Sequence, residues 1–430
     1  MLLIYVPKIT QRVTFTFKHI CGKILGLEFS CTDTIEAFVA HSGPKMAYGP
    51  QATGSAFYVK SQGLLFDQGV ADVEIAVKPW GDTVGFFATS EASNLPFDVF
   101  AASFYLLSRY EEYLPHVKDE MGRYPASESL AYKEQFLSQP VVDIWAYKFY
   151  DALKANFDSL PQPREGFSIH NVIEVSEAYR YKNKGFLRSI AGFGSDIGRF
   201  RIKSIAQRTR VMLSLTRDPF DIFDWLIKTA QKGGAAFTVL FQIGDYSKYD
   251  YNISQHKKQH ISLIKSVADY TKVGLRISHM ATGDLTVLAT EKKRIENIIH
   301  RPLAHTVNAS GILRIPELPR ALVDLEVAQN LSMGYPEKLG FRAGTCTPFY
   351  FYDLDFESQS PLLLVPFAAS SEALSTYPED ERIAKVETLK ETVSRVNGQL
   401  VTVFSNSDFS ATLPNRIWRK LYSETLQYES

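Results

Sequence analysis

Three cysteines, Cys21, Cys31 and Cys346, are all that this chain of 430 residues contains. They are too few and too scattered for a disulfide framework or a paired-cysteine metal site, so a reducing compartment is the natural setting. Net charge is missing as well. Lys+Arg and Asp+Glu balance at 47 each, and no overall field recruits nucleic acid or an anionic membrane. No apolar run approaches the ~20 residues that a membrane helix needs. The N-terminal "MLLIYVPKITQRVTFTF" has no basic stretch ahead of its apolar patch, which Pro7 and Lys8 interrupt. Together these absences predict a cytoplasmic protein with no membrane span and no nucleic-acid partner. Internal repeats and low-complexity segments are absent too, and the basic run "RFRIKSIAQRTR" reads as a solvated helix face.

What is present is apolar material in regular patterns. At this length and 45% hydrophobic content the chain can bury a large core, divided into two or three domains. In the first third, "LLIYVP", "LEFSCT", "AFYVK" and "VEIAVKPW" read as strands. The stretches "ITQRVTFTFKHICGKIL", "LPFDVFAASFYLLSRYEEYL" and "VVDIWAYKFYDALKANF" read as helices, the second with Phe97, Phe100, Ala101, Phe104 and Leu107 at helical spacing. "DSLPQPREG" follows and makes the best boundary, giving an N-terminal α/β domain over 1–160 and a second domain over 165–430.

Beyond it, strands alternate with helices. "FSIHNVIEV", "AAFTVLFQI", "VGLRIS", "AHTVNA", "LLLVPFA" and "LVTVFS" are the strands, and helices such as "TRDPFDIFDWLIKTAQKGG" separate them, with Asp218 and Pro219 as its start and two glycines as its stop. This alternation argues for an α/β fold with a parallel sheet closed, or nearly closed, into a barrel. Any site then lies at the C-terminal strand ends. Those ends offer Glu174, Ser176, Gln242, Asp245, Arg276, Ser278, His279, Asn308, Ser332, Ser405 and Asn406.

Three stretches, "LSMGYPEKLGFRAGTCTPFYFYDLD" (331–355), "GDYSKYDYNIS" (244–254) and "EAYRYKNKGF" (177–186), resemble a bacterial branch of the polysaccharide deacetylase superfamily. The segment "FAASFYLLSRYEEYLPHVKDEMGRYPASESLAYKEQFLSQPVVDIWAYK" resembles the uncharacterised domain that precedes the barrel in that branch. The resemblance implies a distorted (β/α)7 NodB-like barrel. It also implies a divalent metal, often zinc, that polarises an acetyl carbonyl and activates water, with an acid residue and a histidine moving protons.

The chemical positions that the resemblance implies are altered here. Two aspartates end the first strand in relatives, and Glu174 and Ser176 stand in their places. A histidine ends the third strand there, and Arg276 replaces it with a guanidinium that cannot ligate a metal. Val307 and Ala309, Gln329 and Asn330, and Ser405 before Asn406 stand where relatives carry arginine, histidine, acids and histidine. A metal site is therefore expected only if Glu174, Asp245 and His279 converge.

Each residue also has a plain reading. Glu174 is a surviving base or one half of an ion pair with Arg276 or Arg342. Arg342 either holds an acidic or anionic group or forms a rim salt bridge. The run "PFYFYDLDF", with Tyr350, is either a stacking platform for sugar rings or barrel wall. Cys346 reads as a packed residue, and His256 with His260 as a solvated helix start. Asp245, Arg276, Arg342, Tyr350 and Asn252 are the candidate ligand contacts, with Glu174, Ser405 and Asn406 at the catalytic positions. The expected function is a catalytically degenerate deacetylase-like protein that binds a carbohydrate, a sugar nucleotide or a partner protein and needs no cofactor. The alternatives are an active metal-dependent deacetylase or esterase with a rearranged site, or a scaffold acting through its N-terminal domain.

Overall fold

The structure is a computed structural model and describes residues 1–54, 56–163, 165–183, 193–194, 196–250, 253, 255–410 and 415–426. Four short apolar runs near the N-terminus become β1 (Leu2–Tyr5), β2 (Phe29–Thr32), β3 (Lys45–Gly49) and β4 (Phe57–Lys60). They pair in parallel in the order β2-β1-β3-β4. Of the expected strand "VEIAVKPW" only β5 (Lys78–Trp80) pairs, in a hairpin with β6 (Thr83–Gly85).

Against this sheet packs a helix over Val99–Leu107, all nine residues of which are buried. Asp98 caps it, accepting from the Ala101 N–H (3.0 Å) and also from the Gln62 N–H (2.7 Å) and the Tyr48 hydroxyl (3.0 Å). The expected single helix through Tyr113 breaks at Arg109, which adopts the left-handed conformation (φ 54°) before a short second helix, Tyr110–Tyr113. That turn carries the Arg109 guanidinium to Glu112 (2.8 Å) and to the backbone carbonyl of Arg342.

The second sheet has nine strands: β7 (Ser168–Val175), β8 (Ala236–Phe241), β9 (Lys272–Ile277), β10 (His305–Asn308), β11 (Gln329–Met333), β12 (Phe349–Asp353), β13 (Ser358–Pro366), β14 (Ala369–Ser370) and β15 (Gln399–Ser405). Their order is β12-β13-β11-β10-β9-β8-β7-β15-β14, and every pairing is parallel except β12 with β13. The sheet curls. The Phe367 N–H donates to the Met333 carbonyl (3.2 Å) on β11, and the next N–H, from Ala368, donates to Val401 (2.9 Å) on β15, so the segment joining β13 to β14 bridges two strands that stand five places apart in the sheet order.

Side chains alternate as a curled sheet requires. Ile169, Ile173 and Val175 join the large core beneath the helices, whereas Val172 joins a separate inner cluster with Leu240, Val307, Leu331, Val365 and Val401. Glu174, two residues beyond Val172, continues the inward line at the C-terminal end of β7.

Asp218 does not cap the helix that follows. Its carboxylate takes the N–H groups of Arg180, Tyr181 and Lys182 (2.7, 2.8 and 3.0 Å), and the helix spans only Phe223–Gly233, ended by Gly234 at φ 69°. His260, expected in solvent, is buried in the helix Lys258–Ala268 against Phe241, and burial lowers its pKa to about 4.

Buried polar bonds join the N-terminal third to the curled sheet. Arg12 donates through Nε to Glu357 (2.9 Å), Asp143 accepts from the Thr347 hydroxyl (2.6 Å) and the Cys346 N–H (3.0 Å), and Glu112 accepts from both Arg109 and Arg342. An apolar cluster continuous from Leu2 to Leu426 surrounds these bonds.

Candidate functional site

A cavity of about 190 Å³ opens at the C-terminal ends of β7, β10, β11 and β15. β7 brings Glu174 and Ser176 into it, and β9 brings Arg276. These side chains share the inward face for the reason that Val172 does, the two-residue repeat of a strand. The Arg276 Nε donates to Glu174 Oε2 at 2.7 Å, and its Nη1 donates to Gln242 Oε1 at 2.5 Å. The Gln242 amide donates in turn to Asp250 (2.9 Å), whose other bond on that oxygen comes from the His279 N–H (2.9 Å). A carboxylate, a guanidinium, an amide and a second carboxylate thus form one connected line, which starts in the cavity at Glu174 and Arg276 and leaves it through Gln242 and Asp250.

Serine hydroxyls make up much of the remaining wall, from Ser176, Ser310, Ser332, Ser370, Ser371 and Ser405. Val307, Phe367 and Val403 supply its apolar part. Ser370 caps the short helix Ser371–Ser375 by accepting from the Ala373 N–H (2.9 Å) and donates to the Pro336 carbonyl, which holds the loop after β11 against the cavity. Ser405 shares a hydrogen bond with Ser407 (2.8 Å) and its N–H donates to Asp408 (2.8 Å). Asn406 faces away from the cavity. It is buried, its amide donates to the Glu177 and Phe220 carbonyls (2.9 and 3.3 Å), and its N–H binds the Glu174 carbonyl (3.0 Å), so it ties β15 to β7.

Three charged groups at this mouth carry no strand-end signal in the sequence. Glu372 comes from the helix after β14, and burial, with Glu337 and Glu174 nearby and Arg123 opposing them, raises its pKa. Asp408 is raised chiefly by burial and also by Glu174, against bonds from Ser371 and the Ser405 N–H. Arg123 reaches in from the N-terminal third, where Asp119 holds its Nε (2.7 Å), and donates to the carbonyl of Ser310 (2.9 Å). The "SSEAL" start of a helix just after a strand was the available hint for Glu372.

Several expected contacts lie elsewhere. Arg342 is fully buried away from the mouth, donating through Nε and Nη2 to Glu112 (2.9 and 2.7 Å). Burial pushes the Glu112 carboxyl up, and the Arg342 and Arg109 guanidiniums more than offset this, so it stays below its usual range. Tyr350 sits on β12, the far edge strand, with the Lys23 ammonium 5.6 Å above its ring. Asp245 is exposed and pairs with Arg294 (3.1 Å), and the His279 ring stacks on Tyr249 (4.6 Å between centroids). Asn252 lies outside the described residues. Cys346 is buried beside Gly398, and burial raises its thiol well above the ordinary range.

This donor set does not fit a catalytic metal. Such a site takes about three protein ligands, but Arg276 places a cation on one oxygen of Glu174, while Asp245 and His279 are engaged outside the cavity. No group of three His, Cys, Asp or Glu able to hold a metal occurs among the described residues.

Residues 2–158 match a family of unknown function, DUF7033. No curated protein matches the chain in sequence. Among solved structures, a presumed polysaccharide deacetylase from Mycobacterium smegmatis is similar at 11% identity and a TM-score of 0.38, covering 62% of this chain and 86% of that one. A CE4-family pseudoenzyme from Bacillus anthracis is similar at 8% identity and a TM-score of 0.30, covering 61% of this chain and 63% of that one. A mutant described as a CE4 pseudoenzyme with restored enzymatic activity is similar at 8% identity and a TM-score of 0.29, with 60% and 63% covered. The chain therefore spans less than two thirds of the pseudoenzyme's length.

Proposed function

We propose that this chain is a polysaccharide-deacetylase-like protein whose hydrolytic site has been converted into a binding pocket for a hydroxyl-rich ligand such as a sugar. The observation that carries the reading is the Glu174–Arg276 ion pair at 2.7 Å. It lies at strand ends where the sequence resemblance implies metal ligands. A guanidinium bound to the retained carboxylate neutralises the charge that a metal would otherwise neutralise, and it offers no lone pair of its own.

The lining supports a sugar as occupant. A serine hydroxyl can both donate and accept, which suits ligand hydroxyls, and Phe367 suits the apolar face of a ring. At about 190 Å³ the cavity is below the ~300 Å³ lower range of ligand pockets, so it favours a single ring over an extended chain. In this reading β13 and β14 are one interrupted strand and the antiparallel β12 is an added edge, so that the seven parallel strands left make up the distorted barrel of that superfamily. Residues 1–160 form a separate domain whose Arg123 completes the rim.

The test is to purify the protein with zinc, manganese or cobalt present and to supply acetylated amino-sugar oligomers. Saturable binding without acetate release is the expected result. Metal-dependent acetate release that disappears in Glu174→Gln would overturn the reading.

A further inference from the structure

Between Ile197 and Arg217 the chain reads "IGRFRIKSIAQRTRVMLSLTR", with six cationic side chains and no carboxylate. Arg208 pairs with Asp196 (2.8 Å) and Arg217 with Asp224 (2.7 Å). Arg199, Arg201, Lys203 and Arg210 have no carboxylate partner among the described residues. The same stretch exposes large apolar side chains. Phe200 is 88% exposed, Ile202 75% and Leu215 70%, and Ile197, Met212 and Leu213 are exposed with them. Most of a protein's exposed apolar residues are scattered singly, and six gathered in twenty-one positions need a reason.

The segment is well anchored beneath. On the helix Ile202–Met212, Ile202, Ala206, Arg210 and Leu213 recur on the exposed side, while Arg208 and Val211 are buried. The Arg208 guanidinium lies 4.8 Å over the Tyr181 ring, and the Tyr181 hydroxyl donates to Gln207 (3.1 Å). Tyr181 belongs to the loop leaving β7, so the patch stands at the same end of the sheet as Glu174. Beside it an open cleft of about 1030 Å³ is lined by Lys203, Arg210, Arg217 and Arg419 and by two carboxylates, Asp218 and Asp221, with Arg419 stacked on Trp225 (4.6 Å).

We propose that residues 197–217 dock this protein peripherally on a bilayer rich in anionic phospholipid. Phe200, Ile202, Leu213 and Leu215 enter the headgroup boundary, and Arg199, Arg201, Lys203 and Arg210 face lipid phosphates. Charge complementarity selects this occupant. A second copy would set one net-cationic patch against another, and a nucleic acid would use the cations but leave the aliphatic side chains in water. Exposed apolar residues interleaved with cations and free of acids are the pattern of an interfacial segment. No helix among the described residues is long and apolar enough to cross a membrane, so the contact is to one face. The inference is independent of what the cavity binds.

The experiment is sedimentation of the full chain with vesicles of phosphatidylcholine, with and without phosphatidylglycerol, over a range of salt. Binding to the mixed vesicles only, falling as salt rises, is expected. With each cation adding about fivefold on an anionic surface, the triple reversal Arg199→Glu, Arg201→Glu and Lys203→Glu weakens binding by at least ~100-fold. Phe200→Ser with Leu215→Ser keeps every charge and still weakens binding about tenfold or more. Both variants keep the parent's thermal unfolding profile, because the altered side chains are exposed. Equal binding to neutral vesicles, no binding to mixed ones, or a Phe200/Leu215 variant that binds like the parent overturns the proposal. So does binding of the parent chain to single-stranded RNA alongside absent binding to the mixed vesicles, which would reassign the patch to a polyanion.

Discussion

Replacing Glu112 with glutamine tests how the N-terminal third is fastened to the curled sheet. Glu112 accepts three bonds from two buried guanidiniums: Arg109 Nε at 2.8 Å, Arg342 Nε at 2.9 Å and Arg342 Nη2 at 2.7 Å. All three side chains are nearly inaccessible, at 1%, 2% and 3%. Removing the charge between two buried cations costs about 3–5 kcal/mol. If the 430 residues unfold together, an entropy of roughly 0.9 kcal/mol/K turns a 4 kcal/mol loss into a fall in Tm of about 4 °C. If the N-terminal third unfolds first, its share of roughly 0.3 kcal/mol/K turns the same loss into about 12 °C. Differential scanning calorimetry on Glu112→Gln separates the two cases. The acid limb adds a second readout. The folded carboxyl is held low, so its contribution is present above the unfolded value of ~4.3 and is lost as pH falls through the folded one. Glu112→Gln should therefore unfold with a shallower dependence on pH below 4. A Tm shift under about 1 °C with an unchanged acid limb would refute the claim that this pair is desolvated and shared.

Three further outcomes follow from individual contacts. In Gly274→Ala the new Cβ would fall 2.1 Å from the His305 carbonyl oxygen and 2.8 Å from Leu240 Cδ2, so a loss of about 3 kcal/mol in urea unfolding is expected, and a neutral result would refute the tight β9–β10 approach. His260 has a folded pKa near 4 against ~6.5 unfolded, so the unfolded chain binds the extra proton between these values and stability falls as pH drops through that window. His260→Gln should remove about 2 kcal/mol of the loss seen between pH 7 and pH 5, and an unaltered pH profile counts against a neutral buried imidazole. Ser176→Asp with Arg276→His returns two donors beside Glu174. Elemental analysis should find near one zinc per chain in this variant, and a variant that holds no zinc refutes the assignment of these positions to the ancestral metal site.

Much of the fold was legible because its signals are local. Six of the strands in the large sheet announce themselves as apolar runs between helices, and the period of two along "SIHNVIEV" is enough to send Glu174 the same way as Val172. β3 was not legible, since "KMAYG" carries no long apolar run between its lysine and its glycine and is recognised only by its two parallel neighbours, β1 and β4. The break at Arg109 was hidden for a similar reason. Nothing in "FYLLSRYEEY" forbids a continuous helix, and the left-handed turn is stabilised by Arg342, which lies 233 positions later.

The candidate site divides in the same way. Glu174 and Arg276 could be matched in the sequence because each ends a strand, and in the structure they meet across 102 positions. Arg342 and Tyr350 sit in equally distinctive motifs, yet their surroundings depend on distant partners, Glu112 at the buried junction and Lys23 above the edge strand. Glu372, Asp408 and Arg123 were unreadable because they reach the mouth from a helix start, a loop and the N-terminal third.

By itself the sequence determined the strand and helix periods, the carboxylate and guanidinium at two strand ends and the absence of acids between Ile197 and Arg217, since each depends only on residue type and spacing. Only the tertiary structure decided which guanidinium answers Glu174, and which exposed apolar side chains remain uncovered. Ion pairing and burial depend on distances between residues hundreds of positions apart, and curling the sheet is what sets those distances.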